Sequence, residues 1–274
     1  MTEAINTRIL AGKSARDGRR RGMSQDQIER LMSVASPLFL LLLWEMAADF
    51  RFIDVRFFPA PSKIFGTLVE MVENGQLWRH FSASMQRLFW GFLFGGLPAL
   101  ALGVGMGLNK TLRAIVDPIV QATYPIPKSA ILPLILLIFG LGEGSKIVMV
   151  AIGIFYPILI NATAGVLEIN KIYFDVGRNF GASRWQVFRT VALPGALPLI
   201  MTGVKLGIGM GLILIAIAEM VGAKSGLGFM IWNAWEILSV ETMYVGLLVI
   251  AVLGLVLSLI VTEIERALVP WKRR

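Results

Sequence analysis

The sequence predicts an all-α membrane protein of about six transmembrane helices, and three observations carry that prediction. Hydrophobic side chains make up 56% of the 274 residues, mean hydropathy is +0.71, and charged residues reach only 16%, against roughly 25% in a soluble domain. Six stretches approach the roughly 20 apolar residues needed to cross about 30 Å of hydrocarbon. The 26 Lys and Arg lie between and beside those stretches, not along one polar face, which sets nucleic-acid binding aside despite a net charge of +8. Cysteine is absent and His80 is the single histidine. Disulfides, thiolate metal sites and thiol nucleophiles are therefore excluded, and with one histidine the sequence offers no convincing Ser-His-acid triad, histidine metal cluster or dedicated catalytic, cofactor-binding or metal set.

In chain order, residues 1–30 form a basic tail with Arg8, Lys13, Arg16, Arg19, Arg20, Arg21 and Arg30. It resembles a signal-peptide n-region in charge, but it is too long and no small-residue cleavage site follows Leu38–Leu43, so it reads as a retained cytoplasmic tail. Residues 31–274 read as one transmembrane domain with spans at about 31–48, 89–108, 114–141, 147–167, 197–221 and 243–262. The loop from Arg51 to Ser84 holds "FFPAPSKIFGTLVEMV", a Pro-set turn and then an amphipathic segment with Ile64, Leu68, Met71 and Val72 on one face. That segment is read as an interfacial helix on the outer leaflet, with a substrate contact as the alternative. His80 falls in the same loop and is read as exposed.

The third span is interrupted by Asp117, Lys128, Pro118, Pro125, Pro127 and Pro133. Broken helix at membrane depth needs protein or a wet cavity beside it, so this span is not expected to face lipid. Tyr124, Pro125, Pro127 and Lys128 from this span, Tyr156 and Asn161 from the fourth, and Lys205 and Met210 from the fifth are the candidate pathway residues. Lys205 is open between snorkelling to the interface, facing the pathway and pairing across the bundle. Glu45 and Glu219 sit near an outer interface, where wet surroundings are expected. Glycines four residues apart, Gly91 with Gly95, Gly103 with Gly107, and Gly203, Gly207 and Gly211, allow close helix approach within the subunit or at a mobile seam.

Orientation follows from the basic residues. With six spans and the amino terminus inside, seventeen Lys and Arg fall in cytoplasmic segments and seven in external ones, namely Arg51, Arg56, Lys63, Arg79, Arg87, Lys146 and Lys224. Both termini are therefore expected in the cytoplasm, with Trp232 and Trp235 at the outer interface and Trp271 at the inner one.

That orientation makes the polar stretch at about 170–194 cytoplasmic. Asn170 to Phe180 is helix-compatible, Gly181 can take the left-handed conformation that ends a helix, and Ser183 with Gln186 fits a capping box that starts another. Pro194 is expected to turn the chain into the fifth span. A solvated loop does not need a glycine, a cap and a proline in register.

Asp175, Val176, Gly177, Gly181, Val191, Leu193 and Pro194 follow an order of acid, two small residues, glycine, aliphatic residue and Leu-Pro. This order resembles the "EAA" loop of the membrane subunits of bacterial ABC importers. "GASRWQVF", "LPGALP", "FFPAPSKIF", "DPIVQATYPIPKSAILPL", "FGLGEGSKI" and "AEMVGAKSGLGFMI" extend the resemblance over nearly the whole chain, toward taurine, aliphatic sulfonate and nitrate permeases. The usual Glu-Ala-Ala is Asp-Val-Gly here, and Gly177 lowers helix propensity by roughly 1 kcal/mol relative to Ala.

The resemblance implies a type I importer fold in the bacterial inner membrane. It further implies two cytoplasmic ATPase subunits that carry ATP and Mg, a second permease subunit, an external or periplasmic substrate-binding protein, and contact with lipid. Asp175, Val176, Gly177, Gly181, Ala182, Ser183, Arg184, Leu193 and Pro194 would form the coupling element, and a sulfonate, taurine or nitrate the cargo. The chain has no phosphate-binding loop of its own: Thr7 stands where "GKS" at Gly12–Ser14 would need an upstream glycine. It is therefore expected not to be an enzyme. An ATP-independent secondary transporter or channel is the alternative, and it would predict a counterpart to the broken third span in another half of the chain.

Overall fold

The computed structural model describes residues 25–271. Most of the basic tail read at 1–30, its "GKS", and the final Lys272, Arg273 and Arg274 lie outside the described residues. All regular structure among the described residues is helical.

The first of two compact units ends at Pro61. Its one helix among the described residues, α1 (Gln25–Asp49), contains the apolar run Leu31–Asp49. Leu38, Phe39, Leu40, Leu42 and Leu43 are all exposed, and a helix that is apolar all round suits lipid.

The second unit holds the remaining helices. The predicted amphipathic segment is α2 (Pro61–Glu73), which buries Ile64 and Met71. Leu68 is half-buried and Val72 exposed. The second span begins much earlier than the apolar run indicates, because α3 (Gln76–Leu108) is 33 residues long and carries Ser84 and Arg87 inside it.

The third span is not one helix. It consists of α4 (Lys110–Thr123), a short 3₁₀ turn at Lys128–Ile131 and α5 (Leu132–Phe139), and its two arms meet at 87°. Pro125 and Pro127 stand in the break, where a missing amide hydrogen and a clash with the preceding turn both oppose a continuous helix. The fourth span is α6 (Glu143–Leu167).

The polar stretch read at about 170–194 follows as α7 (Lys171–Asn179) and α8 (Arg184–Val187), with a π turn at Phe188–Ala192 leading into α9 (Leu193–Met220), the fifth span. The chain closes with α10 (Leu227–Glu236) and the sixth span, α11 (Val240–Leu268).

Three helices form the core. A Cβ built on Gly91 would fall on Val150, and one on Gly107 on Val166, so α3 and α6 run parallel in close contact. A Cβ on Gly165 would lie 2.9 Å from the Ala196 carbonyl, and one on Gly203 would lie 2.8 Å from Asn161 Cβ, so α9 runs antiparallel to α6. All these close approaches are made within the chain, which gives the spaced glycines a packing role inside the subunit. Without water to drive helices together in a bilayer, such small-residue contact is the main attraction available.

The parallel pairing of α3 and α6 also settles what the bent pair does. The chain leaves α3 at one end of the bundle and must enter α6 at the other, so α4 and α5 together make one crossing. The second arm packs Leu132 and Ile135 against Met149, Leu214 and Ala218. Gly254 approaches Leu212, and Glu265 pairs with Lys205, so α11 runs antiparallel to α9. Its carboxyl end therefore lies at the same end of the bundle as α7 and α8.

Candidate functional site

At that end, α7 and α8 form a rigid tip. The Asn170 side chain accepts the amide hydrogen of Ile172 at 3.0 Å to start α7. Gly181 (φ 71°) ends it, with Gly181 N–H donating to Arg178 O and Ala182 N–H to Gly177 O, both at 2.9 Å. This paired pattern is a Schellman cap. Ser183 and Gln186 then form the predicted capping box: Ser183 N–H donates to Gln186 Oε1 at 2.7 Å and Gln186 N–H to Ser183 Oγ at 3.3 Å.

Two corrections concern this tip. Pro194 does not turn the chain. Leu193 N–H reaches back to Phe188 O, and this widened π turn absorbs the proline that would otherwise clash one turn earlier. Helix therefore continues from Arg184 to Met220 over 37 residues. Gly177 is also not merely a weakened alanine, because a Cβ there would come within 3.3 Å of Val187 Cγ2. Its absence lets α7 and α8 close on each other.

The tip exposes apolar side chains. Phe180 is 88% exposed, and Tyr173, Val176 and Trp185 are exposed with it. Asp175 makes only a loose exposed pair with Arg178, at 3.8 Å. A polar element that presents exposed aromatic rings has the character of a docking surface.

Of the pathway candidates, the structure brings Tyr124, Lys128 and Tyr156 together at the break. Lys128 Nζ donates to the carbonyls of Thr123 and Tyr124, both at 2.9 Å, and of Ile126 at 3.0 Å. It also lies 4.2 Å from the centre of the Tyr156 ring. All three of its protons are thus committed to carbonyls freed by the bend. Pro125 and Pro127 are exposed beside it. Asn161 donates to Pro157 O in its own helix at 2.8 Å, and Met210 is exposed on α9.

Lys205 is placed elsewhere, against Glu265 at 2.5 Å, the pairing across the bundle that was one of the three readings. Lys205→Met should lower the melting temperature of the detergent-solubilised chain by a few degrees, at about 2–4 °C per kcal/mol for a protein of this size. Lys205→Arg should keep it. Lost uptake with an unchanged melting temperature would instead place Lys205 in the pathway.

The opposite end holds a polar cluster that the sequence reading missed. Arg87, counted there as an external residue, is 3% exposed inside α3. It grips Glu143 through Nε at 2.5 Å and Nη2 at 2.7 Å, Glu219 through Nη1 at 2.8 Å, and the Ser225 carbonyl at 2.7 Å. Glu219, expected in wet surroundings, is fully buried. Its carboxylate accepts from Ser84 Oγ at 2.8 Å and from Gly228 N–H at 2.9 Å.

Lys146, also counted as external, is buried in α6 and donates to the carbonyls of Leu141, Gly142 and Gly222. His80 is not a loop residue: it lies in α3, stacks on Phe229 and accepts from Gly226 N–H at 3.2 Å. The signal was present in the spacing. His80, Ser84 and Arg87 recur at i, i+4 and i+7, one helical face, and an ionisable Glu219 inside a span points to a partner.

Comparison with known proteins bears on what this assembly is. Residues 91–274 match the family described as the binding-protein-dependent transport system inner membrane component. The chain belongs to that family. Among its relatives, the taurine transport system permease protein TauC of Escherichia coli (strain K12) is 36% identical over 245 residues, 88% of this chain and 89% of the relative. A putative aliphatic sulfonates transport permease protein, SsuC of Bacillus subtilis (strain 168), is 31% identical and covers 86% of each chain. Among solved structures, a chain of the MetNI methionine ABC transporter in an inward-facing conformation aligns with a TM-score of 0.50 at 25% identity. That alignment covers 70% of this permease and 94% of the MetNI chain. The protein is thus an ABC transporter permease, a multi-pass membrane subunit whose role is transport.

Proposed function

We propose that this permease is the membrane subunit of an ATP-driven importer for a small sulfonate such as taurine, with both termini in the cytoplasm. The observation that carries the reading is the tip. It is short, capped at both its glycine turn and its second helix, faced with Phe180, Tyr173 and Trp185, and continuous with the fifth span. A rigid projection of this kind can pass the motion of a docked ATPase to the bundle, which a floppy loop could not.

Charge supports the orientation. Lys110, Arg113, Lys171, Arg178, Arg184, Arg189 and Arg266 all sit at the tip's end of the bundle, as the positive-inside rule requires of a cytoplasmic face. The tail at 1–30 would add to that bias, with residues 31–274 forming the permease domain.

The partners are two cytoplasmic ATPase subunits, which hold ATP and Mg, a second copy of the permease, and an external substrate-binding protein. This chain binds no cofactor itself and hydrolyses nothing. Asp175, Val176, Gly177, Gly181, Ala182, Ser183, Arg184, Leu193 and Pro194 belong to the coupling element, and Tyr124, Pro125, Pro127, Lys128, Tyr156, Asn161, Lys205 and Met210 are the pathway candidates.

Sulfonate is the cargo class because the taurine and sulfonate permeases are similar over nearly the whole chain. Discrimination would rest mainly with the external protein, since Arg87, Lys128, Lys146 and Lys205 are each committed to protein acceptors.

A mild-detergent pull-down of the tagged permease should bring down a stoichiometric partner carrying a phosphate-binding loop, and uptake of labelled taurine into vesicles should require ATP. A chain that purifies alone and transports without ATP would overturn the proposal.

A further inference from the structure

The buried cluster at the far end of α9 needs an explanation that stability does not supply. A buried ion pair is often no more stabilising than well-packed apolar residues of the same volume. Here four charges, Arg87, Lys146, Glu143 and Glu219, gather around a loop joining two apolar helices.

That loop, residues 221–226, contains two glycines at positive φ, Gly222 at 70° and Gly226 at 121°. Left alone it would be a flexible joint. Side chains from neighbouring helices pin it at three residues: Lys146 of α6 holds the Gly222 carbonyl at 3.2 Å, Arg87 of α3 holds the Ser225 carbonyl at 2.7 Å, and His80 of α3 holds the Gly226 amide at 3.2 Å. Beyond the loop, Leu227 N–H donates to Ser84 Oγ at 2.8 Å and Gly228 N–H to Glu219 at 2.9 Å. The first amides of α10 are thus capped by groups from α3 and α9, and the Glu219 carboxylate sits where a helix N-terminus favours negative charge. A Cβ at Gly226 would collide with that carboxylate.

Glu219 lies in the last turn of the continuous helix that begins at the tip with Arg184. That run of 37 residues is about 55 Å long at 1.5 Å per residue. The partners of Arg87 differ in burial: Glu219 is fully buried, whereas the Glu143 side chain is 66% exposed. Glu219 is therefore the partner that fixes the arginine inside the protein.

We propose that Arg87 and Glu219 are positioning residues that turn the glycine joint into a rigid elbow, so that displacement of the tip is delivered to α10 at the opposite face of the bundle. The proposal rests on the coupling role of the tip. The lock makes α10 an extension of the lever and not an independently hinged helix, and a broken lock uncouples hydrolysis from uptake.

The test uses the assembled transporter, with its ATPase and binding protein, in proteoliposomes and reads uptake per ATP hydrolysed. Glu219→Ala should retain the ATPase and its hydrolysis while uptake per ATP falls by about tenfold or more. A cavity lined by Ser84, Glu219, Leu227, Gly228 and Leu253 adjoins the carboxylate. Sodium formate should therefore restore part of the ratio to Glu219→Ala but none to Glu219→Leu, whose side chain fills the site. Ser84→Ala removes one bridging hydroxyl and should lower the ratio by about threefold. If Glu219→Ala does not accumulate, Ser84→Ala decides the matter alone. Wild-type uptake per ATP in a folded Glu219→Ala, or in Ser84→Ala where that variant stands alone, overturns the lock while leaving the coupling tip standing. Uptake by the wild type that needs no ATP sinks both.

Discussion

Gly181→Val leaves the permease folded in the membrane and lowers uptake by more than about tenfold, which is 1.4 kcal/mol of coupling. The expectation follows from how the tip is closed. Gly181 has φ 71°, and nothing lies within 4 Å of the position its Cβ would take, so the site has room for a Cβ. The penalty of valine is conformational: an L-residue in the left-handed region costs roughly 1–2 kcal/mol, with a β-branched one at the upper end.

Relief of that strain requires giving up the bonds from Gly181 to Arg178 and from Ala182 to Gly177. The helix they terminate has nine residues, too few to hold without caps or packing, so Phe180 and Tyr173 lose their fixed placement. The buried contacts of α3, α6 and α9 are untouched, which is why insertion survives. The ATPase should also wash away from the variant during purification. Gly181→Asn, which tolerates the same φ, should retain uptake to within about threefold. Equal loss in both variants would locate the requirement in the size of the tip, and normal uptake by Gly181→Val would remove the tip from the mechanism.

The tip was legible because caps and left-handed turns are local: Asn170, Gly181, Ser183 and Gln186 act on neighbours within four residues. Membrane crossings were legible for a related reason, since lipid imposes its length on any apolar run. What was not legible depended on partners distant in the chain. Arg87 and Lys146 read as external charges because hydropathy ends a span at a charged residue, whereas α3 and α6 continue through theirs. They do so because Glu219, 132 residues from Arg87, and carbonyls at Leu141 and Gly222 neutralise or bond them. Lys205 could not be assigned without Glu265, 60 residues away. The third span showed its break in four prolines, and Lys128 caps carbonyls only two to five residues away, but the 87° angle between the two arms has no signature in the local pattern. Pro194 misled in the opposite direction: a proline that looks like a corner is absorbed by one π turn.

Gly203→Leu removes the folded permease, while Gly209→Ala six residues along the same helix leaves it unchanged. The contrast isolates the contact between α9 and α6. A Cβ at Gly203 would lie 2.8 Å from Asn161 Cβ and 2.9 Å from the Pro157 carbonyl, whereas one at Gly209 meets nothing within 4 Å. The Pro157 carbonyl is held in place by Asn161 Nδ2, so the facing surface has no flexible side-chain end to give way. The helices must separate, and overpacking of this kind costs about 1–3 kcal/mol or more.

In water, a separated interface would still be driven together by apolar burial. In a bilayer, lipid tails fill the gap equally well, so the lost dispersion contact is not recovered. The same displacement moves α9 away from α6 at Gly165 and Gly153, where a Cβ would already lie 2.9 Å from Ala196 O and 2.6 Å from Leu214 Cδ1. The effect therefore spreads along the helix and reaches both the tip and Glu219. Size-exclusion of the detergent-solubilised proteins should show the monodisperse yield of Gly203→Leu reduced by more than about tenfold, a change of 1.4 kcal/mol or more in the folded equilibrium. A Gly203→Leu protein that elutes and transports like Gly209→Ala would mean that α9 and α6 slide or part without loss, and the lever from tip to Glu219 would then lack the rigid support on which its action depends.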